Sequence, residues 1–135
     1  MVPRMVRNLA ALLPAVVLLA ACQNPVLHKN ETVLGVSAVE APATVVAAQS
    51  FVVKLTVHFG GCVRFDHFDT RDSGSRLEVT AVGIDASGPN IACPDILWSA
   101  EKELTVPGAS PGTLTLVIRQ PHGAVIEREV RVVAP

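Results

Sequence analysis

The sequence of 135 residues contains no tyrosine, one tryptophan and four phenylalanines. Carbohydrate-binding and antibody-like surfaces usually rely on Trp and Tyr, so this composition argues against a sugar-binding module. The sequence also lacks a run of lysine and arginine, and its formal net charge is −1. Proteins that bind nucleic acids neutralise phosphates with clustered basic side chains. We therefore expect no nucleic-acid partner.

A hydrophobic run long enough to cross a membrane is also missing from the N-terminus. The apolar run over residues 9–21 has 13 residues, contains Pro14, and follows Arg4 and Arg7, the only charges before Cys22. A membrane-spanning helix needs about 20 apolar residues. A positive start, a short apolar middle and small residues at the end are typical of a secretory signal peptide. We predict that residues 1–21 are a cleaved signal outside the fold.

The end of this run, Leu19-Ala20-Ala21-Cys22, resembles the lipobox of bacterial lipoproteins. The resemblance implies lipid attachment to the Cys22 thiol, cleavage before Cys22 and acylation of the new amino group. Several acyl chains anchor a protein stably, whereas one chain gives only marginal membrane binding. The alternative is a plain secreted protein in which Cys22 is incidental.

Gln23 stands where an aspartate would favour retention in the inner membrane of diderm bacteria, so the resemblance implies a periplasm-facing outer-membrane lipoprotein. Residues 22–31 are polar after the cysteine, contain one proline and show no clear period. We expect them to form the lipidated N-terminus and a tether. Residues 32–135 are then predicted to form a single domain.

The three cysteines are predicted to have two different roles. With Cys22 assigned to lipidation, Cys62 and Cys93 remain as an even pair in an exported chain. An oxidising compartment favours a disulfide between them, and the alternative is two free thiols. Closing this loop of 32 residues, counting both ends, is expected to stabilise the fold by about 3–4 kcal/mol in the chain-entropy model.

Apolar residues alternate with polar ones along most of the mature chain, which is the pattern of half-buried strands. Turn signals rich in Gly, Pro, Asp and Ser separate these segments, and none shows a helical period. Seven short strands separated by turns predict an all-β sandwich of antiparallel strands. The predicted strands are residues 32–40, 51–59, 63–68, 76–84, 96–106, 113–119 and 124–133.

Residues 106–132, with a Pro-Gly turn, a Thr/Leu-rich strand, a tight turn and a final strand, resemble the closing hairpin of immunoglobulin-like or fibronectin-III-like bacterial modules. The resemblance implies an immunoglobulin-like β-sandwich. Trp98 follows Cys93, however, instead of lying between the cysteines, and no tyrosine is available for the conserved corner. We therefore interpret the Cys62–Cys93 pair as a loop staple and expect Trp98 to pack against the core beside it.

The densest polar cluster, residues 65–76, contains side chains that can bind metal ions: Asp66, His67, Asp69 and Asp72, with Arg71 among them. Its spacing does not match a calcium loop, and Asp and Ser favour turns. We expect a charged, solvated loop and no metal site.

The sequence gives no support for a copper site or for a hydrolytic active site. A blue-copper site needs two His, a Cys and usually a Met, but Met1 and Met5 lie in the signal. The four histidines are scattered at His28, His58, His67 and His122. No nucleophile elbow or zinc-protease motif is present, and Glu101 and Glu103 are expected to face solvent on one strand. We predict no catalytic residues, no cofactor and no enzyme activity.

These observations favour a lipid-anchored cell-envelope domain with a non-catalytic protein-binding or structural role. Its partners would be the membrane, through Cys22, and an envelope protein that engages loops or a sheet edge. One alternative is a small envelope inhibitor or ligand-capture lipoprotein, in which a stapled loop blocks a cleft. A third is a metal-handling protein that uses the 65–76 cluster.

Overall fold

The computed structural model of the protein describes Leu27 and residues 30–135, and these residues form an all-β, sandwich-like fold. Besides the strands, the described part has a single 3₁₀ turn, Pro121–Gly123, and none of its helical segments has the length and apolarity to span a bilayer. The strands are β1 (Glu31–Val33), β2 (Gly35–Glu40), β3 (Thr44–Val46), β4 (Phe51–Gly60), β5 (Val63–Asp72), β6 (Arg76–Asp85), β7 (Leu97–Val106), β8 (Gly112–Arg119) and β9 (Val125–Val133).

The strands form two sheets. The three-stranded sheet has the order β2-β4-β7, and both of its pairs are antiparallel. In the six-stranded sheet β5 is at one edge beside β6. Strands β1 and β8 share the other side of β6, and β9 and β3 follow. The pairs β6–β8 and β3–β9 are parallel.

The described strands differ from the prediction in number and direction. All seven predicted strands are present, but residues 32–40 divide into β1 and β2 in different sheets, and β3 was not predicted. Strand β8 is parallel to β6 because the intervening β7 crosses to the other sheet, and parallel neighbours require such a crossover. The division falls at buried Leu34, whose N–H donates to the carbonyl of Ala81 at 2.8 Å.

The core lies between the two sheets and follows the predicted alternation. In β4, Val53, Leu55 and Val57 are at most 1% exposed, whereas the adjacent Val52, on the opposite face of the strand, is exposed. Leu116 and Ile118 of β8 belong to the same buried cluster from the opposite sheet. Burial of one apolar face of each sheet against the other is what joins the two layers.

Replacement of Leu55, which is completely buried, tests whether this layer carries the stability. Leu55→Ala removes buried methyl groups and leaves a cavity, so we expect the free energy of unfolding to fall by about 2–5 kcal/mol. The matched control Leu97→Ala, at a side chain that is 77% exposed, should change it by no more than about 0.5 kcal/mol. Urea unfolding measures both, and equal losses would contradict the assignment of the core.

Candidate functional site

Cys62 and Cys93 form a disulfide, as predicted, with their Cα atoms 5.1 Å apart. Cys62 lies in the turn between β4 and β5, and Cys93 lies in the connection of residues 86–96 between β6 and β7. The bond joins a turn to a connection outside the strands, which confirms the interpretation as a loop staple. It holds the 86–96 connection against one end of the sandwich.

Hydrogen bonds fix both ends of this connection. The N–H of Ala86 donates to the carbonyl of Cys62 at 3.0 Å, and the N–H of Gly61 donates to the carbonyl of Ile96 at 3.1 Å. The N–H of Ser87 also donates to Asp85 Oδ1 at 2.8 Å. Hydrogen bonds from the Ser87 hydroxyl and N–H to this carboxylate lower the pKa of Asp85 below its ordinary value.

The tight turn between β4 and β5 depends on two glycines. A Cβ on Gly60 would collide with the carbonyl of Ile96, which passes directly beside it. Gly61 has a φ of +63°, in the left-handed region that glycine adopts without steric cost. The Gly60-Gly61 pair indicates this turn in the sequence. Only the structure shows that the backbone of Ile96 and Leu97 fills the space beside Gly60 that a side chain would need.

Exposed apolar side chains concentrate at this end. The large apolar side chains that are exposed in the described part are Leu27, Val52, Ile91, Ile96, Leu97, Trp98 and Val125. Four of them fall within residues 91–98, on either side of the disulfide. We call Ile91, Ile96, Leu97 and Trp98 the end surface. Contiguous exposed apolar residues mark sites of interaction with proteins, ligands or membranes.

A groove of about 360 Å³ lies between the end surface and the disulfide. Phe59, Cys62 and Val63 line it together with Ile91 and Trp98, and Arg64 is the one ionisable side chain in its lining. The Phe59 and Trp98 ring centroids are 6.5 Å apart. Such a lining suits apolar contact and offers no pair of groups for proton transfer.

The expectation that Trp98 packs against the core is wrong, because this side chain is 54% exposed. Trp98 shares the parity of buried Val106, so it does stand on the core-facing side of β7. It lies near the beginning of the strand, however, opposite Phe59, which is itself only half-buried. The opposing sheet does not fully cover the core at the position of Phe59 and Trp98, so the Trp98 ring is exposed to solvent.

One feature of the sequence indicates this surface, although it breaks the alternation of apolar and polar residues. Ile96, Leu97 and Trp98 are three consecutive apolar residues, so they cannot all face one side of a strand. Leu97 points away from the core. Ile96 and Trp98 lie at the end of the sandwich where the core is not covered, so they are exposed as well.

Strand β7 is also a free edge in the described part. It pairs with β4 along all ten of its residues, without a bulge, and no described strand pairs with its other side. Glu101 and Glu103 are exposed on its outer face, as predicted. The Lys54 ammonium lies 3.2 Å from Glu101, and this hydrogen bond and charge raise the pKa of Lys54.

The charged cluster of residues 65–76 is a strand and a turn, so the expectation of a loop is wrong. Strand β5 continues to Asp72 because β6 pairs with it as far as Leu77. A bulge between Phe65 and His67 interrupts the register, and beside it the exposed His67 Nδ1 lies 2.6 Å from Asp66 Oδ2. Asp72 Oδ1 accepts a hydrogen bond from the N–H of Gly74 at 2.7 Å and shapes the turn.

The other ligand residues considered from the sequence form no metal centre in the part of the chain that the structure describes. In Leu27 and residues 30–135, no three His, Cys, Asp or Glu side chains are grouped so that they could hold a metal ion. His58 lies on β4, and His122 lies in the 3₁₀ turn. Cys22, His28 and residues 1–21, which were predicted to be a signal peptide, lie outside the described residues.

An ion pair on the outer face of the six-stranded sheet was not predicted. The Arg119 guanidinium donates two hydrogen bonds to the Glu78 carboxylate, at 3.0 and 2.9 Å, and so ties β8 to β6. The two residues are 41 positions apart. Only the parallel register of these strands, which the sequence does not indicate, brings them together.

Comparison of the chain with protein-family models, curated proteins and solved structures gives no match.

Opening the disulfide should destabilise the domain without abolishing the core. For the pair Cys62→Ser and Cys93→Ser we expect a loss of about 3–4 kcal/mol in the free energy of unfolding, because the unfolded chain regains the freedom of the loop. Urea unfolding of the variant and of the oxidised protein measures the difference. Alkylation after denaturation is the control: Cys62 and Cys93 should react only after reduction. If both react before reduction, the bridge does not exist.

Proposed function

We propose that this protein is a lipid-anchored cell-envelope domain with a non-catalytic protein-binding or structural role. Residues 1–21 are the cleaved signal, Cys22 carries the lipid, and residues 22–31 connect it to the sandwich. The disulfide supports this assignment because it accounts for two of the three cysteines and leaves Cys22 without a partner. Gln23, which stands in place of an aspartate that would favour the inner membrane, supports a location on the periplasm-facing side of the outer membrane.

We also propose that the sandwich is immunoglobulin-like. Two packed sheets and the C-terminal antiparallel hairpin of β8 and β9 support this classification. The parallel pair of β6 and β8 is a departure from the antiparallel arrangement that the resemblance implies.

The free edge of β7 is the observation that carries the protein-binding role. An edge strand presents a row of unpaired backbone groups, and an extended segment of a partner can add to it as a further strand. The Lys102 ammonium lies 5.2 Å from the centroid of the Phe65 ring, on the side of the opposite sheet. Charges at Glu101, Lys102 and Glu103 discourage indiscriminate pairing, so the edge favours a partner with complementary charges.

A second candidate function is that of an envelope inhibitor or ligand-capture lipoprotein. The observation in its favour is the exposed 86–96 connection, which the disulfide holds and from which Ile91 projects with half of its surface exposed. Preorganised loops of this kind lose little conformational entropy when they enter a cleft. The metal-handling alternative has no observation in its favour among the residues that the structure describes.

The anchor is tested by the mass and location of the mature chain. We expect the wild type to sediment with membranes and to begin at an acylated Cys22. The variant Cys22→Ala should keep its signal and gain no acyl mass. Intact-mass spectrometry of the membrane fraction measures both, and Ser87→Ala is a matched control that should be processed like the wild type. A wild-type chain that retains residues 1–21, or carries an unmodified Cys22, would contradict the proposal.

The partner-binding edge is tested by photo-crosslinking in living cells. A benzophenone side chain at Glu103 of β7 should give a discrete adduct with one envelope protein, since this residue is exposed beside the free edge. The same group at Glu129, exposed on β9 of the other sheet, is the matched control and should give none.

Two outcomes would contradict the proposal that the β7 edge binds an envelope protein. Equal adducts from Glu103 and Glu129 would mean that labelling follows exposure rather than a binding surface. An adduct with a hydrolase from Ala92, with none from Glu103, would instead favour the inhibitor.

A further inference from the structure

We propose that the end surface lies against the lipid bilayer to which the chain is anchored, with Ile96, Leu97 and Trp98 at the boundary of headgroups and acyl chains. The inference rests on the lipidation of Cys22 proposed above, and it names the membrane as the partner of the end surface. It also sets the orientation of the domain.

The chain enters the sandwich at the same end as the disulfide. The N–H of Asp85 donates to the carbonyl of Asn30 at 2.8 Å, and the next residue, Ala86, donates to the carbonyl of Cys62 at 3.0 Å. Strand β1 then runs away from this end, because Glu31 pairs with Ile84 and Val33 pairs with Val82. The point of entry is therefore adjacent to the disulfide and the 86–96 connection.

Covalent geometry limits how far this end can stand from the anchor. Asn30 is eight residues after Cys22, and eight residues span at most about 26–29 Å, whatever path they take. The ten residues of β4 extend about 33 Å from the far end of the sandwich to Gly60. Attachment at the disulfide end therefore favours an orientation in which that end faces the membrane.

The composition of the end surface suits a membrane interface. Tryptophan concentrates at headgroup level because its ring is apolar and its N–H is polar. Leu97, 77% exposed, can enter the apolar region beside it, since interfacial segments bury their apolar face about 5–10 Å deep. An exposed apolar surface held close to a bilayer loses contact with water when it docks there.

The charges near this end indicate which lipids it would prefer. Asp95 is exposed immediately before Ile96, and Asp85 and Glu31 lie near the point of entry, whereas Arg64 is the basic residue in the groove. This balance gives no attraction to anionic headgroups. We therefore expect docking on zwitterionic lipids that depends on apolar contact and is insensitive to salt.

Docking in this orientation leaves the rest of β7 accessible. Glu103 lies six residues along the strand from Leu97, about 20 Å from the membrane-facing end. The free edge would then project into the compartment, where an envelope protein can reach it.

The single tryptophan of the chain makes the test direct. The full chain, produced in bacteria and purified with its anchor, is placed in phosphatidylcholine vesicles with and without bromine on the acyl chains. We expect brominated lipid to quench Trp98 fluorescence, and we expect vesicles to reduce quenching by aqueous acrylamide relative to the vesicle-free protein. Anionic vesicles should give no stronger effect.

A matched control moves the reporter to the far end of the same anchored chain. In the double variant Trp98→Phe, Val52→Trp, the new ring replaces an exposed outer-face residue about 23 Å along β4 from Phe59. Brominated lipid should not quench it, and vesicles should not protect it from acrylamide. A second variant, Leu97→Ser, retains Trp98 and should lose part of its protection while remaining anchored.

The outcomes separate the inference from the proposed function. An acylated chain that floats with vesicles, but whose Trp98 is quenched by acrylamide as strongly as Trp at position 52 and not by bromine, overturns the inference alone. A chain with unmodified Cys22 that does not float with vesicles overturns both. Protection of Trp98 that appears only when an envelope protein is added would assign the end surface to a protein partner and also overturn the inference.

Discussion

Burial of alternating apolar side chains between two sheets is the constraint on which the rest of the structure depends. Leu55 and its neighbours in β4 face Leu116 and Ile118 of the opposite sheet within one buried cluster. Since a sheet with one apolar face is stable only when that face is covered, the two layers stabilise each other. The polar outer faces then carry pairs such as Glu78–Arg119, which join neighbouring strands but do not hold the layers together.

The end surface arises where this packing stops. Beyond Val57 the core-facing positions of β4 and β7 are occupied by Phe59 and Trp98, which the six-stranded sheet covers only in part. The disulfide and the close approach of Ile96 to Gly60 hold the 86–96 connection beside them. Both rings stay partly open to solvent at the end where the chain enters the sandwich, and exposed apolar patches of this kind mark interaction sites.

The fold could be predicted well where a local pattern determines the structure. Alternation located most of the strands because side chains in a strand point to opposite faces in turn. The lipobox resemblance set Cys22 aside, which left Cys62 and Cys93 as the pair that forms the staple. The same pattern did not reveal β3, since three residues are too few to show a period. It did not indicate that residues 32–40 would divide at Leu34 between two sheets, or that β5 would continue through charged residues as far as Asp72.

By itself, the sequence determined where most of the strands lie, which face of each of them is apolar and where the chain turns. These are properties of neighbouring residues, and backbone geometry translates them directly into local structure. Only the tertiary structure decided that β6 and β8 are parallel, that Trp98 is exposed, and that the chain enters beside the disulfide. Those features depend on where one sheet ends relative to the other, and contacts between residues distant in the sequence determine that position.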